Sequence, residues 1–217
     1  MTMLLDSGWV LAAWLLLDAA CLAWLIRDLR TRNSHLMSLM QWVWILTVLY
    51  SGPVGLAIYA YSGRKEIAQD SLWRRGFRSV AHCYSGCGAG EVAGILIAVG
   101  LLSLGNWGLA LLSFTMAYVA GFAMTMGPLL QEGVPLRTAL WDAFTSESAS
   151  ITMMELTAIS VDLWLAGDAT PGEPRFWLSL ILSLSAGLVV AYPVNVLLLR
   201  FGIKEGMHDP RDVHHHG

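Results

Sequence analysis

Apolar residues run through this chain in six blocks, each close to the ~20 residues that a helix needs to cross a bilayer. They cover residues 8–26, 36–61, 80–104, 107–130, 137–165 and 176–199. Arg27, Arg30 and Arg32 close the first block, and Gly52-Pro53 interrupts the second. A proline at that depth is expected to kink a span rather than end it. The stretch from Ser62 to Arg78 is basic but carries Ile67, Leu72, Trp73 and Phe77, a pattern that predicts a short helix lying in the interface. The short Leu104–Trp107 turn makes the third and fourth blocks an antiparallel pair. Pro135 can open the fifth helix, and Gly167, Pro171, Gly172 and Pro174 form the loop that follows it. The expected fold is therefore all-α, a polytopic transmembrane helix bundle of about six spans. It forms a single membrane domain over residues 1–207, with a flexible tail at 208–217 whose His214, His215 and His216 stand outside any site.

Composition changes this picture only by excluding its rivals. Of 217 residues, 56% are hydrophobic and 13% charged, about half the charged share that a soluble domain keeps on its surface. A net charge of −3 gives no reason to expect nucleic acid as a partner. Three cysteines, two of them four positions apart at the start of the third block, do not make a disulfide framework. The N-terminus lacks the basic region of a signal peptide, so the first block is read as a retained span.

Six spans would put both termini on one side, in the cytoplasm of an inner-membrane protein. Arg64, Lys65, Arg74, Arg75, Arg78, Arg137, Arg200, Lys204 and Arg211 would then lie inside, with Arg27, Arg30, Arg32 and Arg175 outside. The first loop runs against the rule.

The chemistry concentrates in His82-Cys83-Tyr84-Ser85-Gly86-Cys87-Gly88-Ala89-Gly90-Glu91. Residues four apart share a helix face, so Cys83, Cys87 and Glu91 form one stripe and Gly86, Gly90 and Gly94 another beside it. Glycines in that register let a neighbouring helix approach closely. Two sulfurs, an imidazole and a carboxylate suit a soft transition metal such as copper or zinc. The plainer alternative is that the cysteines are small hydrophobes packed among glycines. Asp18, Glu147, Glu155 and Asp162 also lie within spans, and no Lys or Arg falls inside those spans to neutralise them. Ionisable groups at that depth mark functional positions by default. Asp18 and Glu147 are candidates for proton or charge relay. Met116, Met124, Met126, Met153 and Met154 add thioethers, soft ligands that are equally ordinary core fillers.

Three motifs carry a resemblance. His82-Cys83-x-x-Gly86-Cys87 with Gly90 and Glu91 is the first, Ser150-Ile151-Thr152-x-x-Glu155 the second, and Tyr192-Pro193-Val194-Asn195 with Gly202-Ile203-Lys204-Glu205-x-Met207 the third. Over Trp73 to Met207 the chain resembles a family of prokaryotic membrane proteins, domain of unknown function 4396. The segment Thr145–Ala149 departs from the pattern of that family. The resemblance implies a membrane fold and supports Glu155 over Glu147, and it implies no activity.

The expectation drawn from the residues is a non-enzymatic membrane protein that handles a transition-metal ion, most plausibly Cu(I), for transport or delivery. Its metal site would be His82, Cys83, Cys87, Glu91, Met154 and Glu155. A haem-binding or redox subunit with His82 as axial ligand, and a purely structural subunit of a larger complex, are the alternatives. Partners would be the lipid bilayer and either a metal-delivering protein or further copies of the chain.

Overall fold

The computed structural model describes residues 2–207 and 209–212. Among the described residues it contains eight helices and no strand: α1 (Thr2–Leu5), α2 (Gly8–Thr31), α3 (Ser38–Ser51), α4 (Pro53–Ser62), α5 (Leu72–Gly100), α6 (Asn106–Gln131), α7 (Leu136–Ala166) and α8 (Pro174–Arg200). Five of them, α2 and α5 to α8, are long and apolar enough to cross a bilayer, and they form a helical bundle of the multi-pass membrane type.

The block at 36–61 behaves differently from the single kinked span expected of it. Gly52 takes φ 52°, a left-handed conformation that glycine adopts without penalty, and Pro53 opens α4. The chain does not continue in line beyond it. Trp44 on α3 packs edge-on against Tyr59 on α4 with ring centroids 5.3 Å apart. A straight helix would separate those residues by about 22 Å. A Cβ on Gly55 would fall 2.6 Å from the Thr47 carbonyl oxygen, and one on Gly63 would meet the Trp44 ring at 2.6 Å. The two helices are thus the legs of a tight hairpin. With 14 and 10 residues, the legs reach about 21 and 15 Å, and neither spans a hydrocarbon core of about 30 Å. The hairpin enters the bundle and leaves on the same side.

A buried polar clamp closes its base. The Asp28 carboxylate, at the end of α2, accepts hydrogen bonds from Tyr59 Oη (2.8 Å), Asn33 Nδ2 (2.8 Å) and the Arg64 guanidinium (3.1 Å twice). Every partner lies beside the base of the hairpin or on its second leg.

The basic stretch before the third block also differs from expectation. Leu72 to Arg78 form no separate interfacial helix but are the first two turns of α5, capped by the Ser71 hydroxyl on the Arg74 amide. Arg78 is buried because its guanidinium donates to Asp70 and to the Ser62 carbonyl.

From α5 onward the helices pack antiparallel in sequence order. The α5–α6 seam follows the glycines: a Cβ on Gly94 would lie 2.7 Å from Ser113 Cα, one on Gly90 2.7 Å from Ala117 Cα, and one on Gly86 3.3 Å from Gly121 Cα. α7 and α8 close together where Gly187 admits Met154.

The hairpin changes how the ends of the molecule sort. One end holds the close of α2, the hairpin base, the starts of α5 and α7, and the ends of α6 and α8. His35 bonds to the Pro210 carbonyl there, and Gly206 packs on Arg75. The ordered chain therefore continues beyond Met207, with Pro210 buried; the remainder of the expected tail, His208 and residues 213–217, lies outside the described residues. At the opposite end, Leu5 clusters with Leu165 and Leu178, and Gly8 lies against Pro174. The two ends of the described chain occupy opposite ends of the bundle, where six spans would have put them together. Of the 13 Lys and Arg, all but Arg175 belong to the end that holds the hairpin base.

Candidate functional site

Cys83 and Cys87 stand one turn apart near the middle of α5, about 16 and 22 Å along its axis. Both are buried and free, with their sulfurs 4.0 Å apart. Helical spacing aligns the side chains, and the α6 glycine seam makes room for them: a Cβ on Gly121 would come within 2.9 Å of Cys87 Sγ. Ser150 on α7 donates its hydroxyl to Cys83 Sγ at 3.7 Å.

Ser150 belongs to a longer chain of contacts. Its hydroxyl oxygen accepts from Asn195 Nδ2 on α8 (2.5 Å), and Asn195 Oδ1 accepts from Ser79 (2.9 Å) and from Lys204 Nζ (3.1 Å). Lys204 also donates to Glu147 Oε2 at 2.7 Å, and Thr125 donates to Glu147 Oε1 at 3.2 Å. All but Thr125 are buried. The expectation that the intramembrane acids lack a basic partner fails for Glu147. The cation comes from beyond the end of α8, where Gly202 (φ 68°) turns the chain back over the bundle. A lysine outside every apolar block gave no sign that it would be folded into one.

The remaining acids have no such partner. Glu155 is fully buried and neither carboxylate oxygen has a hydrogen-bond partner among the described residues. Glu91 is 3% exposed with Oε2 unpartnered, and it lines a small cavity with Ser113 and Asp162 rather than facing a metal-ligand set. Asp18 lies beside the hairpin tip, its Oδ1 3.6 Å from where a Cβ on Gly52 would sit and without a partner. His82 is buried, with Nδ1 unpartnered. Met154 is buried with its Cγ turned to Gly187 on α8, and Met153 is exposed. Met124 places its sulfur 3.7 Å from the Ser85 hydroxyl.

The six residues expected to bind metal are therefore distributed along the bundle. Among the described residues, no three His, Cys, Asp or Glu side chains come together in a way that could hold a metal ion. What the structure does bring together is a polar column. It starts at Lys204 and Glu147, passes Asn195 and Ser150 to the two thiols, and is succeeded along α7 by Glu155 and then by Asp162 beside Glu91. From Glu147 to Asp162 it extends about 22 Å along α7. Lys204, Asn195, Ser150 and Ser113 were not singled out as site residues from sequence. Ser150, Asn195 and Lys204 do stand in the motifs that carry the family resemblance, and Asn195 is also an amide at the end of an otherwise apolar run; Ser113 gave no signal.

The family model for the Domain of unknown function (DUF4396) matches residues 72–204. The match begins with α5 and ends on Lys204, so it takes in the whole polar column and leaves out α2 and the hairpin. The chain belongs to this family. No curated protein and no solved structure matches it.

Proposed function

We propose that the protein carries a soft transition-metal ion, Cu(I), across the membrane by way of Cys83 and Cys87. The observation behind this reading is the thiol pair itself, buried inside a polar column that runs along the bundle. Two metal–sulfur bonds of roughly 2.3 Å bridge 4.0 Å at an angle of about 120°, so the sulfurs need to part by only a few tenths of an ångström to approach the near-linear geometry of a two-coordinate Cu(I). Thiolates select Cu(I) over harder ions, and Cu(I) accepts two ligands where zinc requires a fuller shell. Two thiolates with one Cu(I) leave a single negative charge, against which the Ser150 hydroxyl already points. Glu155 is then held protonated, since a further unpaired charge at that depth would cost several kcal/mol. His82, one position before Cys83 and buried with a free ring nitrogen, supports delivery from the Lys204 end.

The test is direct. Cu(I) titration of detergent-purified protein against a chromophoric competitor should show one site. Cys83→Ser and Cys87→Ser should each weaken it at least tenfold, and Cys21→Ser should leave it unchanged. Affinity should rise with pH, because thiolate rather than thiol binds. Full copper retention in the Cys83/Cys87 double variant would reduce the pair to packing and leave a structural subunit as the reading.

We also propose an orientation in the inner cell membrane. The end bearing all but one of the basic residues is cytoplasmic by the positive-inside rule, which puts the hairpin base and the C-terminus inside and the N-terminus outside. The first loop, at odds with the rule under six spans, then agrees with it. Reporters at the N-terminus and C-terminus should give opposite sides, and the same side for both would restore a six-span arrangement.

A further inference from the structure

At the end of the bundle that holds Arg175, the helices α5, α6 and α7 enclose a cavity of about 20 Å³ lined by Glu91, Ser113 and Asp162 among apolar side chains. That is enough for one water or one small ion. Glu91 is 3% and Ser113 2% exposed, and Glu91 Oε2 and Ser113 Oγ have no hydrogen-bond partner among the described residues. A buried carboxylate oxygen and a buried hydroxyl without partners each carry a desolvation cost. Here both lie on the wall of the same small cavity. No lysine or arginine lines it. The ionisable groups near Glu91 are Asp162 and Glu155 on α7, Tyr84 on its own helix and Tyr50 on α3; α6 contributes only the Ser113 hydroxyl. All of these are acids or phenols, so two charged carboxylates at the cavity require a cation.

We infer that Glu91, Ser113 and Asp162 form a binding site for one monovalent cation, taken up as a proton or as Na⁺. Three helices each supply one oxygen-bearing side chain, a hard donor set that a soft ion does not favour. The site stands whatever the thiols of Cys83 and Cys87 hold.

The experiment uses the full chain in nanodiscs and reads the thermal midpoint. One arm varies Na⁺ against choline at constant ionic strength, and the other varies pH with no Na⁺ present. A ligand that binds the folded state raises the midpoint with its concentration. A rise with Na⁺ identifies the ion as Na⁺, and a rise with proton concentration alone identifies it as a proton. The response, whichever it is, should weaken at least tenfold in apparent affinity in Glu91→Gln and in Asp162→Asn. It should persist in Cys83→Ser, while Cu(I) binding should show the reverse pattern, so the two proposals fail separately. If Glu91→Gln does not fold, Asp162→Asn and Ser113→Ala decide the matter. A wild type indifferent to both Na⁺ and pH, or variants that respond as the wild type does, would overturn the site.

Discussion

Asp28 and Glu155 are both buried carboxylates, and they are buried in opposite ways. Asp28, at the hairpin base, is surrounded by a phenol, an amide and a guanidinium, and its lone pairs are filled. Glu155, in the middle of α7, is more deeply buried and has no partner for either oxygen. A satisfied charge locks one geometry. An unsatisfied one stays available to a proton or an ion, at a standing cost that packing elsewhere must offset. The contrast divides the molecule: Asp28 ties α2 to the hairpin, whereas α5 to α8, the part matched by the family, hold the polar column; unpartnered Asp18 is the exception on α2.

The division can be broken by mutation. Arg64→Ala should have the largest effect, because it leaves Asp28 buried beside an empty position; about 3 kcal/mol of stability should be lost, visible as a lower midpoint in thermal unfolding. Equal stability in this variant would mean that the clamp is ornamental. Gly90→Ala comes next. Its methyl would meet the Ala117 backbone of α6 at 2.7 Å, and overpacking of this kind costs about 1–3 kcal/mol. The control, Gly127→Ala, has open space around it and should match wild type. Glu155→Gln should sharpen the comparison from the other side, with stability within about 0.5 kcal/mol of wild type or higher, but with Cu(I) flux into proteoliposomes reduced at least tenfold. The smallest effect belongs to Glu173, in the α7–α8 loop, which accepts from the Thr170 amide and hydroxyl. These bonds hold its carboxyl below the ordinary value. A depressed pKa contributes stability that is present above the unfolded value and is lost as pH falls through the folded one, so Glu173→Gln should remove only a slight acid sensitivity of that loop.

Much of this was readable from the order of residues, and the failures share a cause. Continuous apolar runs announce α2, α6 and α8 because lipid exposure imposes their composition. The register Gly86, Gly90, Gly94 marks a face for close approach because glycine every fourth residue does little else in a membrane. The hairpin is harder, since Gly52-Pro53 reads the same whether the chain bends or turns back. Contacts between the two legs, such as Trp44 with Tyr59 and Thr47 with Gly55, separate the two cases. The Lys204–Glu147 pair is harder still, because it joins residues from different helices through a glycine turn that no periodicity records. Cys83 and Cys87 were visible as a pair, but the spread of Glu91, Glu155 and His82 along the bundle depends on which neighbour each one meets.

The hairpin also governs how the protein can be made. A segment inserts on its own when it is long enough to leave the translocation channel for lipid, and α3 and α4 are not. Their tip, where Gly52 and Pro53 interrupt the helix, can stay at bilayer depth only once surrounded by protein. Its neighbours there include Trp14 and Asp18 of α2 and, through Tyr50, Tyr84 and Gly88 of α5. Since α5 is synthesised after the hairpin, α3 and α4 must wait at the membrane surface and enter late, drawn in by a helix that follows them in the chain.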